Sequence, residues 1–300
     1  MIKTDIIIIG AGPVGLFAVF EAGLLKMKCH LIDILPKPGG QCIELYPKKP
    51  IYDIPAYPEI LAGDLIDNLL KQNSQFKPGF TLGEKADKLI KNRDGSFNVT
   101  TDKGTVHNAP IVVIAGGLGG FQPRKPTFDG IQKFEDKGVL YFIREPQTFK
   151  DKNVIIAGGG DSALDWTVEL SKIAKKVTLI HRRNEFRGAP HTLSEIKKLE
   201  NEGKILIKTP CQLESIEGDK NVESISIKFD DGKIEKIKTD KILSFFGLIM
   251  KLGPIAEWGL NMDKKTIEVN SENFETNKKG IFAIGDICSY PGKLKLILSG

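Results

Sequence analysis

The hydrophobic pattern at the start of the chain predicts a strand–helix–strand unit. Residues 5–10 form a short apolar, β-branched run closed by glycine, typical of a strand buried on both faces. No charged side chain occurs between Ile6 and Phe20, so residues 14–25 are predicted to form a buried helix. Cys29–Asp33 is predicted to be a second short strand. Together these elements make a βαβ unit of about 30 residues.

The same pattern starts again 148 residues further on, with a glycine turn at Gly158 in place of the one at Gly10. Further elements are predicted around these two units, and they alternate in the way that is typical of α/β folds with parallel sheets. They are strands at 109–115, 152–158, 176–181 and 280–286, helices at 61–72 and 162–174, an antiparallel ribbon of 97–101 with 105–107, strands and turns over 204–241, and a polar, proline-rich segment over 36–58.

The turn after the first strand, Gly10-Ala-Gly-Pro-Val-Gly15, has the spacing of a dinucleotide-binding loop. Gly10 permits the tight turn, Gly12 lets a pyrophosphate approach the backbone, and Gly15 lets helix and strand pack closely. The free N–H groups and the dipole at the start of the next helix favour a pyrophosphate. Asp33, eighteen residues after Gly15, can accept hydrogen bonds from ribose hydroxyls.

A second loop, Gly158-Gly-Gly-Asp-Ser-Ala163, also lies between a strand and a helix. Eighteen residues after it stands His181 instead of a carboxylate, followed by Arg182 and Arg183. Three of the six arginines in the chain, including Arg187, lie within six residues of each other. Arginine binds a 2′-phosphate through paired, charge-assisted hydrogen bonds, and a carboxylate repels it. The second loop therefore suits NADP, and the first suits a dinucleotide with a free ribose hydroxyl, although a solvated charged strand end is the simpler alternative for the arginines.

Two other segments are weaker candidates for binding. A buried strand over 282–285 delivers Asp286 to a turn near which a cofactor hydroxyl can be bound, but Gly-Asp is also a common turn. Pro38-Gly-Gly-Gln41 permits close backbone approach, and Tyr46 and Tyr52 can stack on a flat cofactor. An ordinary surface loop with aromatic anchors explains this last segment equally well.

Composition excludes several other classes of protein. The chain has 300 residues, of which 41% are hydrophobic and 27% charged, which is typical of a globular protein with two domains. The net charge of +5 is mild and spread along the chain, so nucleic acid is not an expected partner. The longest charge-free stretch has 15 residues broken by glycine and proline, whereas a membrane span needs about 20 apolar residues.

The cysteines and the N-terminus predict a cytoplasmic protein without a metal site. Cys29, Cys42, Cys211 and Cys288 are far apart, with no C-x-x-C and no zinc spacing, so free thiols in a reducing compartment are expected. No basic segment, apolar core and cleavage site typical of a signal peptide follow Met1.

The whole chain resembles the thioredoxin-reductase-like ferredoxin–NADP reductases, a bacterial flavoprotein family with two dinucleotide-binding domains. The paired glycine loops are shared by many flavoprotein disulfide reductases, whereas the Gly-Gly-Gln segment with Tyr46 and the Phe-Gln-Pro-Arg segment are more specific to this family. The resembling segments are Gly10-Ala-Gly-Pro-Val-Gly15, Gly39-Gly-Gln41, Ile114-Ala-Gly-Gly117, Phe121-Gln-Pro-Arg-Lys125, Gly158-Gly-Gly-Asp-Ser-Ala163, His181-Arg-Arg183 and Phe282-Ala-Ile-Gly-Asp-Ile-Cys288.

The resemblance implies two Rossmann-like domains of the three-layer ββα type. An NADP-binding domain, residues 119–242, is expected as an insertion in a discontinuous FAD-binding domain, residues 1–118 and 243–300. The family continues with a helix and a tail that adds an FAD contact and covers one flavin face. The sequence that ends at Gly300 is therefore expected to lack that contact.

The resemblance also implies the residues that bind each cofactor. Asp33 would hold the adenosine ribose, Gln41 and Tyr46 the flavin half, with Tyr46 stacked on the isoalloxazine, and Asp286 the ribityl–pyrophosphate part, while Ala86 and Phe121 would line the FAD. The implied FAD set is Gly10, Gly12, Pro13, Gly15, Asp33, Gln41, Tyr46, Ala86, Phe121 and Asp286. The implied NADP set is Gly158, Gly160, Asp161, Ser162, Ala163, His181, Arg182, Arg183 and Arg187.

The expected activity is hydride transfer between NADPH and FAD, coupled to one-electron transfer with ferredoxin, an acidic iron–sulfur protein. No catalytic side chain is expected, because the flavin carries the chemistry. A thioredoxin reductase carries a C-x-x-C ahead of its NADP loop, where this chain has Gly138-Val-Leu-Tyr-Phe-Ile-Arg-Glu145. An NADPH-dependent reductase of quinones, small disulfides or flavins, and a non-catalytic redox sensor, stay open as alternatives. The family also implies a homodimer.

Overall fold

The chain forms two compact units. The structure, a computed structural model, describes residues 1–120, 122–128, 130–293 and 297. Unit 1 consists of Met1–Gln122 and Met250–Gly300, and unit 2 consists of Pro123–Ile249. The short strands Gln122–Pro123 and Leu248–Ile249 lie where the chain passes from one unit to the other.

Unit 1 is built on a five-stranded parallel sheet. In spatial order its strands are Ile281–Ala283, Ile111–Ile114, Ile6–Ile9, Cys29–Asp33 and Gly79–Leu82. In the central strand, Ile7 pairs with Val112 on one side and with His30 on the other. All four residues of that strand are buried, as its apolar, β-branched sequence predicts, because a central parallel strand is covered on both faces.

Helices cover one face of this sheet. They are α1 (Pro13–Leu24), the short α2 (Gln41–Glu44) and α3 (Ala62–Asn73). Ile6 and Ile8 share a core with Leu16 of α1 and with residues of α3. The Asn73 side-chain amide donates a hydrogen bond to the Leu16 carbonyl at 2.6 Å and ties α3 to α1.

A second, mostly antiparallel sheet covers the opposite face. Its strands, in spatial order, are Ile2–Lys3, Val106–Ala109, Phe97–Thr101 and Ala86–Lys91. Ile7 and Ile9, which alternate with Ile6 and Ile8 along the strand, share a core with Phe97 on this side. Unit 1 therefore has the three layers of the expected ββα fold: antiparallel sheet, parallel sheet and helices.

Smaller elements complete unit 1. Two antiparallel strands, Pro50–Ile51 and Ile60–Leu61, lie within the proline-rich segment and at its end. A small sheet joins strands from the C-terminal part of the chain, and the described residues of unit 1 also form three 3₁₀ helices. The sheet contains Met262–Asp263, Thr266–Glu268 and Cys288–Ser289, and the 3₁₀ helices are Ser74–Phe76, Gly253–Glu257 and Gly285–Ile287.

Unit 2 repeats the parallel architecture. Helices α4 (Asp161–Ser171) and α5 (Pro190–Asn201) belong to it, as do 3₁₀ helices at Ile131–Phe134 and Pro146–Phe149. The strands of the parallel sheet, in spatial order, are Val139–Leu140, Lys241–Ser244, Asn153–Ala157, Lys176–Ile180 and Ile205–Lys208. An antiparallel sheet of Cys211–Glu217, Ser224–Phe229 and Ile234–Lys238 shares a core with it.

The structure differs from the sequence-based expectations at a few elements. The helix predicted to reach residue 174 ends at Ser171, because the chain turns there and Lys175 donates its N–H to the Lys152 carbonyl to enter the next strand. Helix α5 and the strand Ala86–Lys91 were not predicted. Helix α5 exposes most of its residues and the strand exposes half of its residues, and each has a single buried side chain, Ile196 and Ala86 respectively. Neither sequence therefore has a clear hydrophobic period.

Candidate functional site

The first glycine loop is fixed by close backbone contacts. Gly10 has φ +109°, a conformation that favours glycine, and a Cβ added there would overlap the Ala115 carbonyl. A Cβ at Gly15 would overlap the Gly10 carbonyl. The strand end and the start of α1 therefore approach each other as the glycine spacing predicts.

The N-terminus of α1 is open to a ligand. Its N-cap is Gly12, so the helix begins without a side chain that hydrogen-bonds the free N–H groups. The position where a Cβ of Gly12 would lie has only the Gly40 Cα, at 3.9 Å, in its vicinity. Unpaired N–H groups beside open space, at the positive end of a helix, form a site for a phosphate group.

Asp33, which was predicted to bind a ribose, is hydrogen-bonded to the first glycine loop. Its Oδ2 accepts a hydrogen bond from the Ala11 N–H at 2.6 Å, and its Oδ1 accepts one from the Leu35 N–H at 2.8 Å. The residue is only 9% exposed. Burial raises the pKa of the Asp33 carboxyl, and the two backbone hydrogen bonds oppose that rise. Asp33 thus stabilises the glycine loop in addition to facing the cavity described next.

A cavity of about 890 Å³ opens in unit 1 beside this loop. It is lined by eight of the ten residues assigned to FAD from the sequence. Gly15 lies beneath the loop, where its role is packing, and Phe121 lies outside the described residues. The eight are Gly10, Gly12, Pro13, Asp33, Gln41, Tyr46, Ala86 and Asp286.

The Gly-Gly-Gln segment is hydrogen-bonded to the first glycine loop. The Gly39 N–H donates to the Ala11 carbonyl at 2.7 Å, and both Gly39 and Gly40 have positive φ. α2 begins directly afterwards, so Gln41 lies at its first position with the side chain lining the cavity. The segment is therefore part of the cavity wall.

Tyr46 lines the same cavity from the residues that follow α2. Burial, together with the nearby Cys42 and Asp286, raises the pKa of its phenol well above the ordinary value, so the group stays neutral. The Lys49 ammonium lies 5.7 Å from the centre of the Tyr46 ring. Cys42 is buried as well, and burial raises the pKa of its thiol to about 12. This thiol is unreactive at neutral pH, because the thiolate is the nucleophile.

Lys293 is a cavity residue that sequence reasoning missed. Its ammonium donates to the carbonyls of Gly285 and Cys288 at 2.7 and 2.8 Å, and lies 3.9 Å from the Asp286 carboxylate. The side chain is 16% exposed. It places a fixed positive charge beside Asp286 in a cavity that is predicted to hold a pyrophosphate. Nothing in the surrounding sequence distinguishes this lysine from the many others.

Glu84 is a second missed residue in the cavity wall. Its backbone N–H donates to the Asp33 carbonyl, and its Oε2 accepts a hydrogen bond from the Thr101 hydroxyl at 2.5 Å. The hydroxyls of Thr101 and Thr105 hold the pKa of the Glu84 carboxyl below its usual value. Glu84 is therefore ionised at neutral pH. No sequence motif marks Glu84, because its partner Thr101 lies in the antiparallel sheet, which is distant in sequence.

The second glycine loop has the same construction in unit 2. A Cβ at Gly158 would lie 2.7 Å from the Phe245 carbonyl oxygen and 2.9 Å from the Ala163 Cβ, so strand and helix pack closely there. Gly160 is the N-cap of α4 and offers no side-chain cap, and Asp161 and Ser162 form the exposed start of the helix. This loop likewise presents free N–H groups at a helix N-terminus.

The predicted cationic residues lie beside this second loop. The His181 ring packs against the Gly159 backbone and stacks on Phe186, with ring centroids 5.5 Å apart. Burial lowers the pKa of His181, and the neighbouring arginine charges at 182, 183 and 187 lower it further. His181 is thus neutral at neutral pH.

The three arginines are available to bind an anion. Arg182, Arg183 and Arg187 are exposed, and among the described residues they take part in no ion pair. The backbone of Arg187 is nonetheless fixed, since its N–H donates to the Gly159 carbonyl at 2.6 Å. The structure therefore brings the five loop residues, His181 and the three arginines predicted for NADP into one region of unit 2.

In the described part of the chain, no group of three or more His, Cys, Asp or Glu residues is suited to hold a metal ion. Of the helices formed by residues 1–120, 122–128, 130–293 and 297, none is long and apolar enough to cross a membrane. All four cysteines are free and buried.

The sequence is similar to proteins of known family along its whole length. The sequence matches the model of the pyridine nucleotide-disulphide oxidoreductase family over residues 4–298. Over its whole length it is 59% identical to a ferredoxin–NADP reductase of Flavobacterium johnsoniae, of which it covers 86%. It is 54% identical, again over its whole length, to a ferredoxin–NADP reductase of Pelagibacter ubique, of which it covers 88%.

Solved structures with the same fold include two thioredoxin reductases. That of T. acidophilum is similar with a TM-score of 0.86 and 24% identity, over 100% of this chain and 94% of the other. That of Lactococcus lactis is similar with a TM-score of 0.84 and 23% identity, over 99% of this chain and 94% of the other. At this identity the similarity shows the fold alone. The family model and the sequence relatives show that the chain belongs to the pyridine nucleotide-disulphide oxidoreductase family and, within it, to the ferredoxin–NADP reductases.

Proposed function

We propose that the protein is an NADPH-dependent ferredoxin reductase in which unit 1 binds FAD and unit 2 binds NADPH. The observation that carries this proposal is the contrast between the two glycine loops. The first has a buried carboxylate, Asp33, at the end of its second strand, and the second has His181 with three exposed arginines. A 2′-phosphate is repelled by the first arrangement and attracted by the second.

The residues of unit 1 fit FAD. The uncapped start of α1 at Gly12 can receive the pyrophosphate, and the space where a Cβ of Gly12 would lie is open. Lys293 offsets the negative charge of Asp286 there, since a pyrophosphate brings negative charge of its own. Asp33 is the last residue of its strand, and Glu84 follows the strand Gly79–Leu82 by two residues. Both provide carboxylate acceptors for hydroxyl groups.

The side chains around the predicted flavin half of the cavity act by binding and orientation. FAD, when bound, would supply the redox chemistry: it can accept two electrons as a hydride from NADPH and release them one at a time to an iron–sulfur protein. Gln41 can donate and accept hydrogen bonds, and Tyr46 offers a neutral aromatic ring because its raised pKa keeps the phenol protonated. No side chain is assigned as a nucleophile or a general base.

The residues of unit 2 fit NADPH. Gly160 and the N-terminus of α4 offer N–H groups to the pyrophosphate. Gly158 contributes by close packing, since its own N–H is bound to the Ile180 carbonyl. Arg182, Arg183 and Arg187 present guanidinium groups, which bind phosphate in a bidentate manner. His181 is neutral at neutral pH, so it contributes a hydrogen bond rather than a charge.

Ferredoxin is the proposed electron acceptor. The relatives at 54% and 59% identity are named for it, and the sequence offers no C-x-x-C pair in 138–145 for exchange with a protein disulfide. The net charge of +5 would attract an acidic partner and make the association rate depend on ionic strength.

Self-association and a cytoplasmic location are part of the proposal. Helix α1 exposes Phe17 and Leu24, and the next residue, Leu25, is exposed as well. Exposed apolar side chains on one helix support contact with a second copy of the chain. The four free cysteines support a reducing compartment. Sedimentation of the FAD-loaded protein beside a Phe17→Ser/Leu24→Ser variant tests the dimer: the proposal expects a dimer that the variant loses.

The test of function is NADPH-driven reduction of cytochrome c with FAD supplied, with and without a bacterial ferredoxin, and with NADH as the control donor. A large rate that requires both NADPH and ferredoxin supports the proposal. If NADPH reduces the flavin but ferredoxin gives no stimulation, the protein is a reductase of small molecules. If NADPH is bound but never oxidised, the protein is a non-catalytic binder.

A further inference from the structure

The segment that carries the arginines of unit 2 is paired with the second glycine loop. The Arg187 N–H donates to the Gly159 carbonyl at 2.6 Å, and Arg187 forms an isolated parallel bridge with Gly160. The backbone at Arg187 therefore has a set position relative to the loop that precedes α4.

A second anchor of this segment comes from a side chain. Asp161 Oδ1 accepts a hydrogen bond from the Ala189 N–H at 3.2 Å. Asp161 is the first residue of α4, and an acidic group there usually stabilises its own helix. In this chain its carboxylate also binds a segment 28 residues further along the sequence.

The residue between the two anchors follows the surface of α4 closely. A Cβ added to Gly188 would overlap the Leu164 side chain, and it would lie 3.5 Å from Asp161 Oδ1. Residues 187–189 thus lie against the first turns of α4. The hydrogen bond between Asp161 and Ala189 lies at the C-terminal end of this segment, where α5 begins.

We propose that Asp161 is a positioning residue, which fixes the backbone that carries Arg187 and thereby sets the preference for a 2′-phosphorylated coenzyme. This inference rests on the proposed binding of NADPH by unit 2. A guanidinium group binds phosphate well only when its fork is held in the right orientation, and a fixed backbone reduces the freedom lost on binding.

The structure allows the hydrogen bond to be removed from either side. Asp161→Ala removes the acceptor, and Asp161→Asn keeps an acceptor oxygen without the charge. Ala189→Pro removes the N–H donor, and φ −57° at Ala189 already suits proline. Glu169→Ala is the matched control, because Glu169 is another carboxylate on α4 and is bound to Lys172 instead.

The measurement is the ratio of the dissociation constants for NAD⁺ and NADP⁺, determined by calorimetry on the FAD-loaded protein. Loss of one hydrogen bond predicts that Asp161→Ala and Ala189→Pro each lower this ratio by about three- to tenfold. Asp161→Asn and Glu169→Ala are expected to leave it within about twofold. The inference would be overturned if Asp161→Ala and Asp161→Asn lowered the ratio equally. It would also be overturned if the affinities for NAD⁺ and NADP⁺ fell by the same factor.

Double variants separate positioning from a merely structural role. Asp161→Ala should have no further effect on the ratio once Arg187→Ala or Ala189→Pro is present, because all three act on the same contact. Additive losses would contradict the inference. If the unmodified protein shows no preference for NADP⁺ over NAD⁺, the proposed function fails instead. If the preference for NADP⁺ is unchanged in Asp161→Ala and in Ala189→Pro, only the role of Asp161 is overturned.

Discussion

The carboxylate of Asp33 accepts a hydrogen bond from the backbone N–H of Ala11 at 2.6 Å, inside the glycine loop of unit 1. Its second oxygen accepts one from the Leu35 N–H at 2.8 Å. The residue expected to bind a ribose therefore also fixes the shape of the loop expected to bind the pyrophosphate. One substitution at this position should disturb both.

Asp33→Ala is expected to lower the affinity for FAD and the stability of the FAD-free protein together. Two backbone N–H groups lose a charged acceptor, and each such hydrogen bond contributes about 2 kcal/mol. The expected losses are about tenfold or more in FAD affinity and about 2 kcal/mol or more in the free energy of unfolding. Fluorescence titration and urea unfolding measure them. A variant with weaker FAD binding but unchanged stability would show that Asp33 contacts only the cofactor.

Gly12→Ala should weaken FAD binding without harming the fold. The added Cβ would project into open space where the pyrophosphate is proposed to lie, and φ −73° is allowed for alanine. Overpacking of this kind predicts about a ten- to hundredfold loss of FAD affinity. Gly15→Ala is the matched comparison, because its Cβ would overlap the Gly10 carbonyl and should destabilise the FAD-free protein. Equal FAD affinity in Gly12→Ala and the unmodified chain would rule out this placement of the pyrophosphate.

Replacing Arg182 and Arg183 by alanine should raise the KM for NADPH and leave the KM for NADH nearly unchanged. Each charge-assisted hydrogen bond to a phosphate contributes about 1.5–3 kcal/mol, so the loss of two predicts an increase of about 100-fold or more. Steady-state kinetics with both coenzymes measures the change. Lys228→Ala, which removes another exposed cation from unit 2, should alter neither value. Parallel increases for NADPH and NADH would contradict recognition of the 2′-phosphate.

The stability of the protein should fall in mild acid because of a histidine pair in unit 1. The Thr81 hydroxyl lies 2.8 Å from His30 Nε2 and 2.9 Å from His107 Nε2, and the two rings are 4.8 Å apart. Burial, and secondarily His107, lowers the pKa of His30 to about 4. Both histidines are neutral in the folded protein but become charged in the unfolded chain below pH about 6.5.

The stabilisation from His30 is therefore complete above pH about 6.5 and is lost as the pH falls toward 4. A decrease of about 2 kcal/mol over this range is expected. Chemical unfolding of the FAD-saturated protein between pH 7 and 4.5 measures it. His30→Gln should flatten the profile, while substitution of the exposed His191 should not. An unchanged slope in His30→Gln would assign the acid sensitivity to other groups.

The parts of the fold that the sequence predicted are those with local signals. The strand Ile6–Ile9 consists of four buried isoleucines, and both glycine loops follow such strands directly. Helix α5 was missed because it is largely exposed and Ile196 is its one fully buried residue. Its formation depends on packing against α4 more than on a hydrophobic period.

The missed parts of the site come from contacts between distant segments. Lys293 binds the carbonyls of Gly285 and Cys288, and Glu84 meets Thr101 from another sheet. The bond between Asp161 and Ala189 likewise joins a helix to a separate loop. Spacing rules describe one segment at a time, so only the folded chain reveals these partners.

The most direct test of the central claim is electron counting under anaerobic conditions. FAD-loaded protein is mixed with a limiting amount of NADPH and an excess of oxidised ferredoxin, and the loss of iron–sulfur absorbance is recorded. Because a hydride carries two electrons and ferredoxin accepts one, two molecules of ferredoxin should be reduced for each NADPH, with no reduction by NADH on the same timescale. Consumption of NADPH without reduction of ferredoxin, or equal rates with NADH, would contradict the assignment.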